Sequence, residues 1–108
     1  MRSPIRFGIC GLGRFGVVHG HFFSENRARY QPVAFCDLDV ARAVAAAEKF
    51  GGTAYADFAS FLANPELELA IIATPSLEHA RNAEQALTAG KTVLLEKPIG
   101  VTAADYTL

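Results

Sequence analysis

Ile5-Arg6-Phe7-Gly8-Ile9-Cys10-Gly11-Leu12-Gly13-Arg14-Phe15-Gly16 is the stretch on which the fold turns. It reads as a short apolar strand running into Gly-x-Gly-x-x-Gly, with a helical pattern directly after. Three glycines at this spacing say little alone. A strand before them, a helix after them, and Asp37 at the end of the next apolar run make the arrangement that a dinucleotide pyrophosphate needs. Gly11 permits the tight turn, Gly13 lets the backbone approach the phosphates, and Gly16 lets helix and strand pack closely. Backbone N–H groups near Arg14 and Phe15, helped by the helix dipole, then face the phosphate charge. The Arg14 side chain either adds positive charge there or is simply solvated.

Asp37 suits the two hydroxyls of an adenosine ribose and repels a 2′-phosphate, so NAD is expected over NADP. Its plainer role is a helix cap, which Asp39 can equally supply. Arg42 lies near enough in sequence to meet a 2′-phosphate, which keeps NADP open.

Outward from this stretch, strands and helices alternate. The first strand spans about Ile5 to Cys10 and is nearly continuous in apolar character, as a strand covered on both faces would be. A helix follows from Arg14 to about Asn26, with Phe15, Val18, Phe22 and Phe23 as its apolar stripe. Gln31 to Cys36 is the second strand, with Pro32 near its start. The next helix begins at Asp37 or Asp39, turns Val40, Ala43, Val44 and Ala47 inward, reaches Phe50, and ends at Gly51-Gly52. Thr53 to Tyr55 is a brief third strand. Asp57 caps a short helix, Phe58 to Ala63, that Asn64-Pro65 stops. Leu67 to Ala73 is the fourth strand. A helix from about Leu77 to Ala89 follows, with Ala80, Ala83, Ala86 and Leu87 inside and Gly90 at its end. Thr92 to Leu95 is the fifth strand, and Thr102 caps a further helix. This order implies an α/β doubly wound domain on a mostly parallel sheet with right-handed crossovers.

Composition narrows the function classes. The 108 residues allow one domain, and 51% hydrophobic with 19% charged residues at a net charge of −1 describes a globular chain. No basic run suggests a nucleic-acid surface, and no apolar run is long enough for a bilayer. The N-terminus has no signal-peptide pattern, so the expected setting is the cytoplasm. Cys10 and Cys36 fall at strand ends, where small buried hydrophobes are wanted. Core packing is preferred for them over redox or metal roles. His19 and His21 stand two apart on one helix, on different faces, and do not make a metal pair. His79 lies in the first turn of its helix, facing either the cofactor side or solvent.

Thr74-Pro75-Ser76 and Glu96-Lys97-Pro98 follow the fourth and fifth strands. In a parallel sheet both loops emerge on the edge that carries the glycine loop. A lysine there can hydrogen-bond a substrate hydroxyl or stabilise a forming oxyanion; its plain alternative is a surface lysine paired with Glu96. Gly11 to Gly16, Asp37, Ala73-Thr74-Pro75 with His79, Ala89-Gly90-Lys91 and Glu96-Lys97-Pro98 together resemble the Gfo/Idh/MocA family of NAD(P)-dependent oxidoreductases, over nearly the whole chain. The resemblance implies an N-terminal Rossmann domain and hydride transfer on a sugar, cyclitol or related alcohol. It implies Lys97 as the catalytic lysine, with Pro98 shaping its loop. Thr74 and Pro75 would lie near the nicotinamide ribose, and Glu96 beside the nicotinamide. Ser76 departs from the asparagine common in the family. The resemblance further implies a C-terminal substrate domain carrying an acid and a histidine. Residues 1–108 are therefore read as an N-terminal fragment, inactive alone and part of a homo-oligomer when full length. A methyltransferase using S-adenosylmethionine and a non-catalytic nucleotide sensor are the rival readings.

Overall fold

A computed structural model describes residues 3–74 and 76–95. Among the described residues, five strands form one sheet: β1 (Ile5–Cys10), β2 (Tyr30–Cys36), β3 (Thr53–Tyr55), β4 (Leu69–Ile72) and β5 (Thr92–Leu95). Every pairing is parallel, in the order β3-β2-β1-β4-β5. Helices α1 (Arg14–Ser24), α2 (Val40–Phe50), α3 (Phe58–Leu62) and α4 (Ser76–Thr88) connect them. The chain steps outward from β1 to β3, then returns to the other side of β1. The strand order thus reverses between β1 and β4. The helix expected from Thr102 lies outside the described residues.

Two apolar layers sandwich the sheet. One gathers Phe7, Ile9, Phe23, Phe35, Phe50 and Ile71; the other gathers Cys10, Cys36, Phe61, Ala70, Ile72 and Ala86. Alternate residues of β1 enter opposite layers, which is why its sequence is apolar without a period of two. Aromatic rings fill the first layer at tilted and edge-on angles: Phe7 stands 5.4 Å from Phe23 and 6.5 Å from Phe35.

The strand register carries one irregularity. Phe7 pairs with Pro32 and Gly8 with Ala34, so Val33 is an extra residue in β2. Proline cannot donate to the ladder, and a bulge beside it absorbs the mismatch.

The helix faces differ from the expected ones. On α1, Phe23 is buried, but Val18 and Phe22 are 57% and 58% exposed. Among the residues of α1 whose side chains are described, the buried ones are Gly16, Gly20 and Phe23; Phe15 lies outside them. A Cβ on Gly20 would sit 2.8 Å from the Phe50 ring, and one on Gly16 would overlap the Gly11 carbonyl oxygen. The helix runs too close to its neighbours for a branched side chain there. On α2, Ala43, Ala46 and Phe50 are buried while Val40 and Val44 face outward. The stripe keeps its helical spacing but is turned toward Ala43, Ala46 and Phe50. On α4, Ala86 is buried and Leu87 exposed, with Asn82 taking an inner place.

The ends match the expected chemistry. The Asp39 side chain accepts from Ala41 N–H at the start of α2, and Gly51 ends it at φ 97°. Asp57 caps α3, accepting from Ser60 N–H at 2.8 Å. That backbone bond, chiefly, holds the Asp57 carboxyl below its usual range. A lowered carboxylate value means that the cap's contribution is fully present above the ordinary pKa and is lost as pH falls through the lowered one.

Asn64 joins three segments. It is buried, its Nδ2 donates to the Val33 carbonyl at 3.3 Å and to Tyr55 Oη at 3.1 Å, and its Oδ1 accepts from Glu66 N–H at 2.9 Å. Asn64→Ala strands these groups and is expected to lower unfolding stability by about 1–3 kcal/mol. Denaturant melts of the two proteins measure this; equal midpoints would mean that water replaces the amide.

Candidate functional site

The ends of the strands fall in register. Tyr55, Cys36, Cys10, Ile72 and Leu95 are paired in sequence across the sheet. The chain leaving β1, β2 and β4 therefore departs from one level of one edge. In open α/β sheets the ligand crevice lies outside these carboxyl ends, where the strand order reverses. Here that point is the gap between the loops after β1 and β4.

The three loop glycines are needed for three separate reasons. Gly11 has φ 94°, and a Cβ on it would lie 2.6 Å from both the Ala73 oxygen and the Thr74 nitrogen. The two loops thus touch at the switch point. Gly16 presses α1 against the turn. Gly13 has open space on its Cα: the nearest atom to a Cβ there would be Arg42 Nη1, at 4.0 Å. This bare spot lies where Gly13, as N-cap, offers no side chain to the start of α1. Main chain, helix dipole and open space coincide there, which fits a diphosphate.

Asp37 is drawn to the same place. Its Oδ2 accepts from Leu12 N–H at 2.8 Å and its Oδ1 from Asp39 N–H at 2.8 Å. Each oxygen keeps further acceptor capacity. The carboxylate, half-buried beside the glycine loop, can thus still receive two vicinal hydroxyls. Arg42 completes this end, exposed, with Nε 3.8 Å from Asp39 Oδ2 and its guanidinium beside Gly13.

At the other end, Thr74 Oγ1 bonds Asn82 Oδ1 at 2.7 Å. Asn82 was not among the expected site residues. Its only signal in the sequence is an amide on the inner side of a helix otherwise lined by alanine. It fixes the first turn after β4 by holding Thr74 from α4.

The structure therefore brings together Gly11, Gly13, Gly16, Asp37 and Thr74 at one edge. Arg14 and Phe15 open α1 and His79 lies early in α4, but their side chains are outside the described residues. Pro75, Glu96, Lys97 and Pro98 also lie outside them. Elsewhere, a cleft of about 370 Å³ between α3 and α4 is lined by Phe58, Ala59, Leu62, Ala63, Gln85 and Ala89. It holds no ionisable group, so its size is no argument for chemistry. Among the described residues no group of three or more His, Cys, Asp or Glu side chains could hold a metal, and no helix is long and apolar enough to cross a membrane.

Fold and edge define a nucleotide-binding domain of the doubly wound class. The chain belongs to the Gfo/Idh/MocA oxidoreductase family, whose NAD-binding Rossmann-fold model matches residues 5–107. Inositol 2-dehydrogenase of Salmonella typhimurium is 36% identical over 103 residues, which are 94% of this chain and 31% of that protein. The WlbA dehydrogenase of Bordetella pertussis, solved with NADH and UDP-GlcNAcA, superposes with TM-score 0.91 at 28% identity, over 97% of this chain and 33% of that one. Biliverdin reductase of Synechocystis, solved with biliverdin and NADP+, gives 0.86 at 34% identity, over 97% and 33% respectively. The chain thus spans about a third of the length of such relatives. The family match carries the oxidoreductase reading and lends no support to a methyltransferase or a sensor.

Proposed function

We propose that this chain is the cofactor-binding domain of an NAD-dependent oxidoreductase acting on an alcohol or carbonyl carbon of a sugar, cyclitol or related polyol. The carrying observation is the open Cα face of Gly13 at the start of α1, with Asp37 anchored beside it. The names of the inositol dehydrogenase and WlbA support the substrate class. NAD supplies the hydride acceptor or donor. Gly11, Gly13 and the N–H groups of Arg14 and Phe15 hold its diphosphate, Gly16 keeps α1 close enough to do so, and Asp37 receives the adenosine ribose. Thr74 and Pro75 border the nicotinamide ribose, with Glu96 beside the ring, Pro98 shaping the loop and His79 on the adjoining helix. Lys97 contacts the reacting oxygen and steadies its charge. A second domain, for which the length of the relatives leaves room, completes the substrate pocket and supplies the base. The full-length protein works as a cytoplasmic homo-oligomer.

NAD is preferred because a 2′-phosphate would meet the Asp37 carboxylate. Arg42, already beside Gly13, is the group that would receive that phosphate once the repulsion is gone. Asp37→Ser should therefore weaken NAD binding roughly tenfold or more and strengthen NADP binding, a reversal visible by calorimetric titration. A native protein binding S-adenosylmethionine in place of NAD or NADP would overturn the oxidoreductase reading. An unchanged NAD:NADP ratio in the variant would remove Asp37 as the discriminating residue.

A further inference from the structure

Two nucleophilic side chains stand beside the cofactor loop with no part in the mechanism above. Cys10 and Cys36 end β1 and β2 and are register partners. Both are reduced and buried, 5% and 3% exposed, and both lie in the same apolar layer, so their side chains leave the sheet on the same side. Neighbouring strands run about 4.8 Å apart, inside the range of about 4.4–6.8 Å that a disulfide requires between Cα atoms. We propose that Cys10 and Cys36 form a reversible disulfide under peroxide, and that this bridge weakens dinucleotide binding. The proposal rests on the cofactor reading for its second half only.

The chemistry has a definite order. A hydrogen bond from the Cys10 thiol, the largest influence, holds the Cys36 thiol below its usual range, against burial and the charges of Asp57 and Asp37. Cys36 is thus the better source of the reactive thiolate. Its sulfur attacks the peroxide O–O bond, giving a sulfenic acid and one water. The Cys10 sulfur then attacks the sulfenic sulfur, and the second water leaves as the S–S bond closes. Two thiols lose two protons and two electrons to hydrogen peroxide. Burial of both sulfurs selects such a small oxidant over a protein disulfide.

The consequence for the cofactor follows from the neighbours. Gly11 and Asp37 are the residues directly after the two cysteines. Gly11 N–H donates to the Cys36 carbonyl at 2.9 Å, and Leu12 N–H donates to the Asp37 carboxylate at 2.8 Å. Bridging draws the two Cβ atoms to about 3.8 Å, roughly 1 Å closer than the strand spacing. The shift lands on Gly11, which has no slack against Ala73, Thr74 or Gly16.

The test treats the reduced full-length protein with hydrogen peroxide, then reads intact mass, peptide mass and NAD titration. The expected result is loss of two hydrogen masses, a Cys10–Cys36 cross-linked peptide, and NAD binding weakened roughly tenfold or more, all reversed by dithiothreitol. Cys36→Ser should bind NAD as the reduced native protein does and be unmoved by peroxide. Cys10→Ala serves as the second variant if the first fails to fold. Thiols that stay reduced, over-oxidation without the bridge, or a bridge with unchanged NAD binding would each overturn the proposal. If the reduced protein itself ignores NAD, the cofactor reading fails separately, and the weakening of binding is overturned with it.

Discussion

Gly16→Ala is expected to weaken NAD binding on the order of a hundredfold and to destabilise the domain, whereas Gly13→Ala blocks binding with little loss of stability. The contrast follows from what each new methyl meets. At Gly16 it overlaps the carbonyl oxygen of Gly11, a backbone atom that no rotamer change can move aside. Helix α1 must retreat from the turn, and the N–H groups at its start retreat with it. Overpacking of this kind costs roughly 1–3 kcal/mol, and a phosphate cradle displaced by about 1 Å loses on the order of a hundredfold. At Gly13 the nearest atom is 4.0 Å from the methyl position. The folded chain accommodates it, losing about 1 kcal/mol or less as a poorer N-cap, but the methyl stands where the diphosphate would. Thermal melts and NAD titrations of both variants separate the effects. Native-like binding in Gly13→Ala would move the diphosphate elsewhere; native-like stability in Gly16→Ala would mean that α1 has room to slide.

Lys97→Ala, in the full-length protein, should lower kcat roughly 10²–10⁴-fold while NAD affinity stays within about threefold. β5 ends at Leu95, level with Ile72, Cys10 and Cys36, and Lys97 follows two residues later in the sequence. In the role proposed for it, Lys97 would act on charge that develops at the substrate oxygen, which differs between ground and transition states, and so would affect turnover more than cofactor binding. Lys97→Arg is not expected to restore activity, because a guanidinium is broader and does not give up its proton. Turnover equal to the native protein's in Lys97→Ala would remove the lysine from the reaction.

The strands and the caps were legible because their signals are local. Ile5–Cys10, Thr53–Tyr55 and Thr92–Leu95 were bounded correctly from apolar runs between turn residues, and Asp57 and Gly51 fell where a cap and a terminator were expected. Leu69–Ile72 proved shorter than the expected Leu67 to Ala73, although the N–H groups of Glu68 and Ala73 on either side still donate to the Arg6 and Cys10 carbonyls of β1. The helix faces were less legible. Hydrophobicity favoured Val18, Phe22, Val40 and Val44, but α1 presents Gly16 to the Gly11 turn and Gly20 to the Phe50 ring, and α2 buries Ala43, Ala46 and Phe50. The stripe Gly16, Gly20, Phe23 has the right spacing with nothing hydrophobic at two of its three positions. The site divides in the same way. That the glycines and Asp37 lie together at one edge could be read from spacing; the Thr74–Asn82 bond could not, because it depends on a contact between a loop and a helix.

The contact of Gly11 with Ala73 and Thr74 has a bearing on redesign. With no room for even one methyl between them, the turn after β1 and the turn after β4 form a single interchangeable part. Grafting a relative's glycine loop to alter coenzyme preference would bring in a backbone shaped against a different partner turn. Chimeras should therefore exchange both turns together, although more than fifty residues of chain separate them.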